Sequence, residues 1–230
     1  MNLRFSIHLN DKLALRDPEA TELGRKIVRQ GLILMHQLGY EHFTFKKLAE
    51  AIETKEASIY RYFENKHRLL LYLLTWHWNL MEYAVLLAIN NTEDTRLKIK
   101  KVVGLLCHSI PEGIEDVGLD KKALRDLATS ESNKVYLIKE VDEINKVQLF
   151  KPYKDLCHRI AELFSAYAPQ YPYPRSLAST VLEASRFQPY FLEHLPSLTD
   201  FTQNSAPDGL LHFLETLVFS TLDATIKSEF

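Results

Sequence analysis

Cysteine is scarce: Cys107 and Cys157 are the only two in 230 residues, and they stand far apart. That excludes a disulfide framework and a paired-cysteine zinc site, and it fits a reducing cytoplasm. Glycine numbers seven, and the sequence holds no Gly-rich phosphate loop, nucleophile elbow or His-Glu-x-x-His. An enzyme reading therefore rests on nothing positive, and no cofactor is expected. The nine histidines do not point to a metal either. Glu64-x-x-His67 has the spacing of half a di-iron helix motif, which needs a second such pair that the chain lacks. No apolar core of signal-peptide length precedes Asn10 and Asp11. The most apolar run, Leu69 to Ile89, is interrupted by His77, Asn79 and Glu82, and reads as a buried helix rather than a membrane span.

What is present is the composition of a soluble globular protein, 46% hydrophobic and 25% charged, long enough for one or two ordinary cores. The net charge of −2 hides an asymmetry. Up to Arg68 there are twelve Lys/Arg against nine Asp/Glu, and beyond it sixteen against twenty-one. A basic head on an acidic body is the pattern expected when one part of a chain meets nucleic acid.

Helical spacing runs through the chain, no segment reads as a strand, and the expected class is all-α. Residues 1–17 form an amino-terminal arm. It either packs locally or lies disordered, or else it reaches a minor groove through Arg4 and Arg16. Asp17 and Pro18 make a cap and first-turn pair for a helix carrying Leu23, Ile27, Leu34, Met35 and Leu38, which Gly39 stops. Asn65 starts a long helix to about Ile89. Further helices are expected over Glu93 to Ile110, Leu119 to Ala128, Ser132 to Phe150, Pro152 to Ala168, Pro174 to Leu195 and Pro207 to Ser228. Pro169 to Pro174 is a linker.

The informative stretch is Phe43 to Arg68. Thr44 can cap a short helix in which Phe45, Leu48, Ala49 and Ile52 share a face, with Phe43 and Leu48 at the staple positions. After a break at residues 52–55, Ile59 and Phe63 resume the inward pattern, turning Glu56, Ala57, Ser58, Tyr60 and Arg61 outward. Two short helices across a tight turn make a helix-turn-helix. Its charges are anomalous: Lys46 and Lys47 fall in the first turn of one helix, and Lys66, His67 and Arg68 in that of another. Cations there oppose the helix dipole by about 0.3–1 kcal/mol each, whereas a phosphate is well placed at such an end.

The run T-F-K-K-L-A-E-A-I followed by A-S-I-Y-R-Y-F-E-N-K-H-R-L-L resembles the DNA-binding domain of the TetR/AcrR family of bacterial transcriptional regulators. I-V-R-Q-G-L-I-L-M-H-Q-L-G-Y-E-H-F before it is similar to that family's first helix. The resemblance covers about residues 22 to 74. It departs at Glu53, Thr54 and Lys55, where the family usually has Gly-Val-Ser, so that Thr54 is the candidate cap of the second short helix. His67 and Arg68 replace acidic residues, adding positive charge.

The resemblance implies a helix-turn-helix domain over 18–64 and a helical regulatory and dimerisation domain over 65–230. It implies DNA contact by Thr44, Lys46, Lys55, Glu56, Ala57, Ser58, Tyr60, Arg61, Tyr62 and Lys66, with a packing role open for Tyr62. It implies a homodimer on a palindromic operator, through the last two helices, with Val181, Phe187, Phe191, Phe213, Leu217 and Leu222 at the interface. It also implies a small, largely apolar effector bound in the body, for which Trp76, Tyr83, His108, Tyr136, Tyr153 and His158 are candidates. His158 and Glu162, four apart, read equally as a surface pair. The function implied is a cytoplasmic, ligand-responsive repressor. The competing reading is a ligand carrier or interaction protein of the same fold without specific DNA binding, supported by the unusual turn.

Overall fold

The computed structural model describes residues 12–108, 118–139, 141–202 and 206–227. Apart from a short 3₁₀ turn at Pro196–Leu198, the regular elements among the described residues are α-helices. They are α1 (Glu22–His42), α2 (Phe45–Ala51), α3 (Glu56–Ile59), α4 (Lys66–Ile89), α5 (Thr95–Cys107), α6 (Lys121–Ser130), α7 (Asn133–Tyr136), α8 (Val141–Lys146), α9 (Lys151–Tyr167), α10 (Pro174–His194) and α11 (Ala206–Lys227). The all-α expectation holds.

Two compact units divide these helices. The first comprises Met1–Leu80 with Glu112–Tyr153, and the second Met81–Pro111 with Lys154–Phe230.

In the first unit, α1 begins later than Asp17 and Pro18 imply. Thr21 is the cap, its hydroxyl accepting from the Gly24 N–H at 2.9 Å, while Asp17 instead accepts from the Glu19 N–H to close a turn. That turn lies so close to α1 that a Cβ on Gly24 would meet the Pro18 carbonyl oxygen at 2.2 Å. Only glycine fits. Gly39 takes φ 74°, as its expected stop requires, and the Phe43 N–H closes on its carbonyl.

The described end of the arm packs locally. Leu13 is buried, the Leu15 N–H donates to the Tyr62 carbonyl at 2.8 Å, and the Arg16 guanidinium lies over the Tyr62 ring. Arg16 is therefore engaged by protein; Arg4 lies outside the described residues.

Asn65 caps α4 as expected, accepting from the Arg68 N–H at 2.9 Å. The helix buries Leu69 to Leu74, Trp76, Trp78 and Leu80. α6 packs along α1, with the Tyr40 N–H donating to Glu131 and His36 meeting Asp126 at 3.1 Å.

The helix expected over Ser132 to Phe150 is broken into α7 and α8. Leu137 leaves helical geometry and Gln148 takes φ 60°. Val135 and Ile144 of its apolar stripe are buried, whereas Ile138, Val141 and Val147 are half-exposed.

In the second unit α5, α10 and α11 pack together. Asp94 caps α5, which ends at Cys107 rather than Ile110; Ile110 and Pro111 lie outside the described residues. Over Asp208–Ile226, α11 is long and apolar enough to cross a membrane by length and composition, and 28% of that window is buried.

Candidate nucleic-acid interface

The helix-turn-helix is built on α2 and α3. Thr44 caps α2, accepting from the Lys47 N–H at 3.2 Å, which leaves its own O–H free to donate. Phe45, Leu48, Ala49, Ile52, Ile59 and Phe63 are buried as their spacing demands.

Thr54 does not cap α3. Lys55 occupies that position and makes no side-chain bond there, while the Thr54 N–H donates back to Ala49 at 2.9 Å. Glu53 takes φ 55°, so the site where the resemblance expects glycine has glycine-type backbone under a glutamate side chain. The left-handed conformation costs a non-glycine residue about 1–2 kcal/mol, and glycine's extra freedom in the unfolded chain returns about 0.4–1 of that. Glu53→Gly is therefore expected to raise stability by roughly 0.5–1 kcal/mol, or a few degrees in Tm. An unchanged or lower Tm in thermal unfolding would show that the turn is unstrained.

The lysines at the helix starts divide into two groups. Lys66 gives its ammonium to the carbonyls of Tyr40 (2.8 Å), Glu41 (3.2 Å) and Phe43 (3.4 Å), and it lies 4.4 Å from the Tyr40 ring centre. Lys47 donates to the His42 carbonyl at 2.9 Å, and Lys26 to the Ile52 carbonyl at 3.1 Å. These cations sit at the carboxyl ends of α1 and α2, where unpaired carbonyls and the dipole favour positive charge. That accounts for Lys47 and Lys66 without any phosphate, and in this arrangement the Lys66 ammonium fastens the end of α1.

Lys46, Lys55 and Arg61 are exposed and have no ion-pair or hydrogen-bond partner among the described residues. Ala57 is also exposed, with Glu56 and Ser58 half-exposed beside it. Tyr60 rests edge-on against Phe45 and donates to Glu56 at 3.3 Å. Burial, and then the Glu56 carboxylate, push its phenol pKa up, so it stays a neutral donor. Tyr62 faces the other way. It is buried, with its hydroxyl 2.7 Å from that of Thr21, so packing is its role in this arrangement.

The effector candidates are divided between the two units. In the first unit the Trp78 indole N–H donates to the Tyr136 hydroxyl at 2.6 Å, and Tyr136 stacks on Tyr153 at 5.3 Å, while Trp76 is buried in α4. In the second unit Tyr83 is half-buried. His108 caps the end of α5 with Nδ1 2.8 Å from the Gly104 carbonyl, and His158 is an exposed partner of Glu162 at 3.3 Å. A cavity in the first unit, about 860 Å³, is bordered by Tyr40, the start of α4 and α7 to α8. None of the six candidates lines it. Leu137, Ile138 and Val147 do; spacing alone assigns them to a continuous helix, and only the break after Tyr136 brings them to the cavity wall.

Of the interface candidates, Val181 and Leu222 are fully buried within the protomer, so both are core residues rather than contacts for a mate. Phe187, Phe191 and Leu217 are half-exposed and Phe213 is 41% exposed. Phe187 and Phe191 stack at 6.0 Å.

A short capped helix, a left-handed turn and a second short helix flanked by the exposed Lys55 and Arg61 define a helix-turn-helix protein. Residues 27–73 match the family described as bacterial regulatory proteins, tetR family. Solved structures agree in fold. One is AibR in complex with isovaleryl coenzyme A and operator DNA (17% identity, 82% of this chain and 97% of that one, TM-score 0.57). Another is apo AibR (18%, 82% and 96%, 0.53). A third is the fatty acid degradation regulator FadR from Bacillus halodurans (19%, 86% and 98%, 0.56). No curated protein matches the chain.

Proposed function

We propose that the chain is a cytoplasmic, homodimeric transcriptional repressor that binds a palindromic operator and is released by a small, largely apolar effector. The observation that carries the DNA part is the cationic face of the helix-turn-helix, where Lys46, Lys55 and Arg61 stand exposed beside Thr44, Ala57 and Tyr60. Thr44, Lys46 and Lys55 serve phosphate oxygens. Arg61 reaches a base edge, guanine being the best match for its fork, and Glu56, Ala57 and Ser58 approach the major groove.

The dimer reading rests on α10 and α11, whose outward side chains Phe187, Phe191 and Leu217 are half-exposed and whose Phe213 is 41% exposed. A twofold axis there sets two heads on half-sites one helical turn, or a multiple, apart. The effector reading draws on AibR, solved with an acyl thioester, and on FadR, named for fatty acid degradation. Release follows when the effector prefers a conformation in which the two heads no longer match both half-sites.

The carrier reading loses its main support, because the backbone at Glu53 is the glycine-type turn that the motif needs. Selection of bound fragments from genomic DNA tests the proposal. Enrichment of a palindromic sequence is the expected result, and retention on duplex DNA without any enriched sequence would favour the carrier.

A further inference from the structure

The start of α4 carries a histidine and an arginine that the DNA reading leaves unused. His67 and Arg68 follow Lys66 in its first turn and border the cavity of about 860 Å³ in the first unit. That size lies within the range of about 300–1,000 Å³ that small-molecule sites occupy. Its far wall is apolar: Leu137 is 77% exposed, and Ile138 and Val147 are half-exposed beside it. Burying one such side chain is worth roughly 1.5–3 kcal/mol, so this wall gains from being covered.

The polar side is incomplete in a specific way. Arg68 Nη1 is buried and has no hydrogen-bond partner among the described residues, and an unmade bond from a charged donor is costly. Two acids reach the rim, but both are solvated. Glu64 stands 3.9 Å from Arg68 Nε with its side chain 64% exposed, against 30% for Arg68, and Glu143 is 80% exposed. Water screens them far more than it screens the sheltered guanidinium.

We propose that this cavity binds a small apolar carboxylate, with its chain against Leu137, Ile138 and Val147 and its carboxylate on Arg68 beside His67. A carboxylate suits the guanidinium fork and the amino-terminal end of α4 together. The consequence for DNA rests on the regulator reading. Lys66 precedes His67 and fastens the Tyr40, Glu41 and Phe43 carbonyls at the end of α1, and Tyr40 also borders the cavity. An occupant held by Arg68 and Tyr40 thus bears on both sides of the connection that positions the helix-turn-helix, and it shifts that connection by its preference for one arrangement.

The test titrates the full chain with sodium octanoate, with 1-octanol as the uncharged control, following heat of binding, Tm and retention on duplex DNA. Octanoate is expected to bind, raise Tm and weaken DNA retention, and to bind at least about tenfold more tightly than octanol. Arg68→Gln should reduce octanoate to the level of octanol. Ile138→Trp, which fills the cavity, should abolish binding of both. The proposal is overturned if octanoate does not bind, or binds unchanged in both variants. Retention on DNA without octanoate reads the regulator proposal separately: a chain that binds octanoate but never DNA keeps this site and loses that function.

Discussion

Replacing Lys46, Lys55 and Arg61 together by alanine is expected to weaken binding to duplex DNA by roughly a hundred- to thousandfold. An arginine on a base edge is worth about 1–3 kcal/mol, and each lysine on a phosphate adds the free energy of counterion release. All three side chains are exposed, so removal leaves no cavity and no orphaned polar group. Unfolding midpoints should stay within about 0.5 kcal/mol of the parent for each substitution, as is usual for surface sites. Fluorescence anisotropy with a labelled duplex measures the loss, and thermal unfolding shows that the fold survives. Affinity within a few-fold of the parent would move the interface away from α2 and α3.

The second large effect concerns assembly. Phe187→Glu combined with Leu217→Glu is expected to convert a dimer into a monomer. Each half-exposed residue would be sealed by the mate, and a twofold axis places every substitution twice, so four carboxylates would lose water. An unpaired buried charge costs several kcal/mol, which amounts to a drop of at least roughly a thousandfold in association. Sedimentation velocity reads it directly, with helical content unchanged because neither residue belongs to the protomer core. If the parent chain sediments as a monomer, or the variant remains dimeric, α10 and α11 are not the interface. The apolar length of α11 then needs another cover, which partition into lipid vesicles would reveal.

The head of the molecule is legible in the sequence to different depths. Ile59 and Phe63, four apart, and Phe45, Leu48, Ala49 and Ile52 on one face are local patterns, and local geometry decides them. The same holds for the caps at Thr44 and Asn65 and the stop at Gly39. The destinations of the lysines are not local. A lysine in the first turn of a helix reads the same whether it meets a phosphate or the carbonyls of the preceding helix, and only the fold brings the Lys66 ammonium to Tyr40, Glu41 and Phe43.

Apolar stripes carry a similar ambiguity. Val181 and Leu222 read as interface because α10 and α11 are apolar on more than one face, but which face meets the protomer's own core is settled by packing. The break between α7 and α8 has no proline or glycine to announce it. Leu137 leaves helical geometry there, and with that break goes the cavity wall at Leu137 and Ile138, which periodicity assigns to a continuous helix.

The outward cations Lys46, Lys55 and Arg61, on α2 and on either side of α3, are expected to meet a polyanion. The salt dependence of DNA binding tests it most directly, measured for the parent and for the Lys46, Lys55 and Arg61 triple variant. For the parent, log K should fall steeply with log salt, at about 0.9 per phosphate neutralised, and the triple variant should be shallower by roughly two to three. Binding that is indifferent to salt, or a slope that the three substitutions leave unchanged, would contradict it.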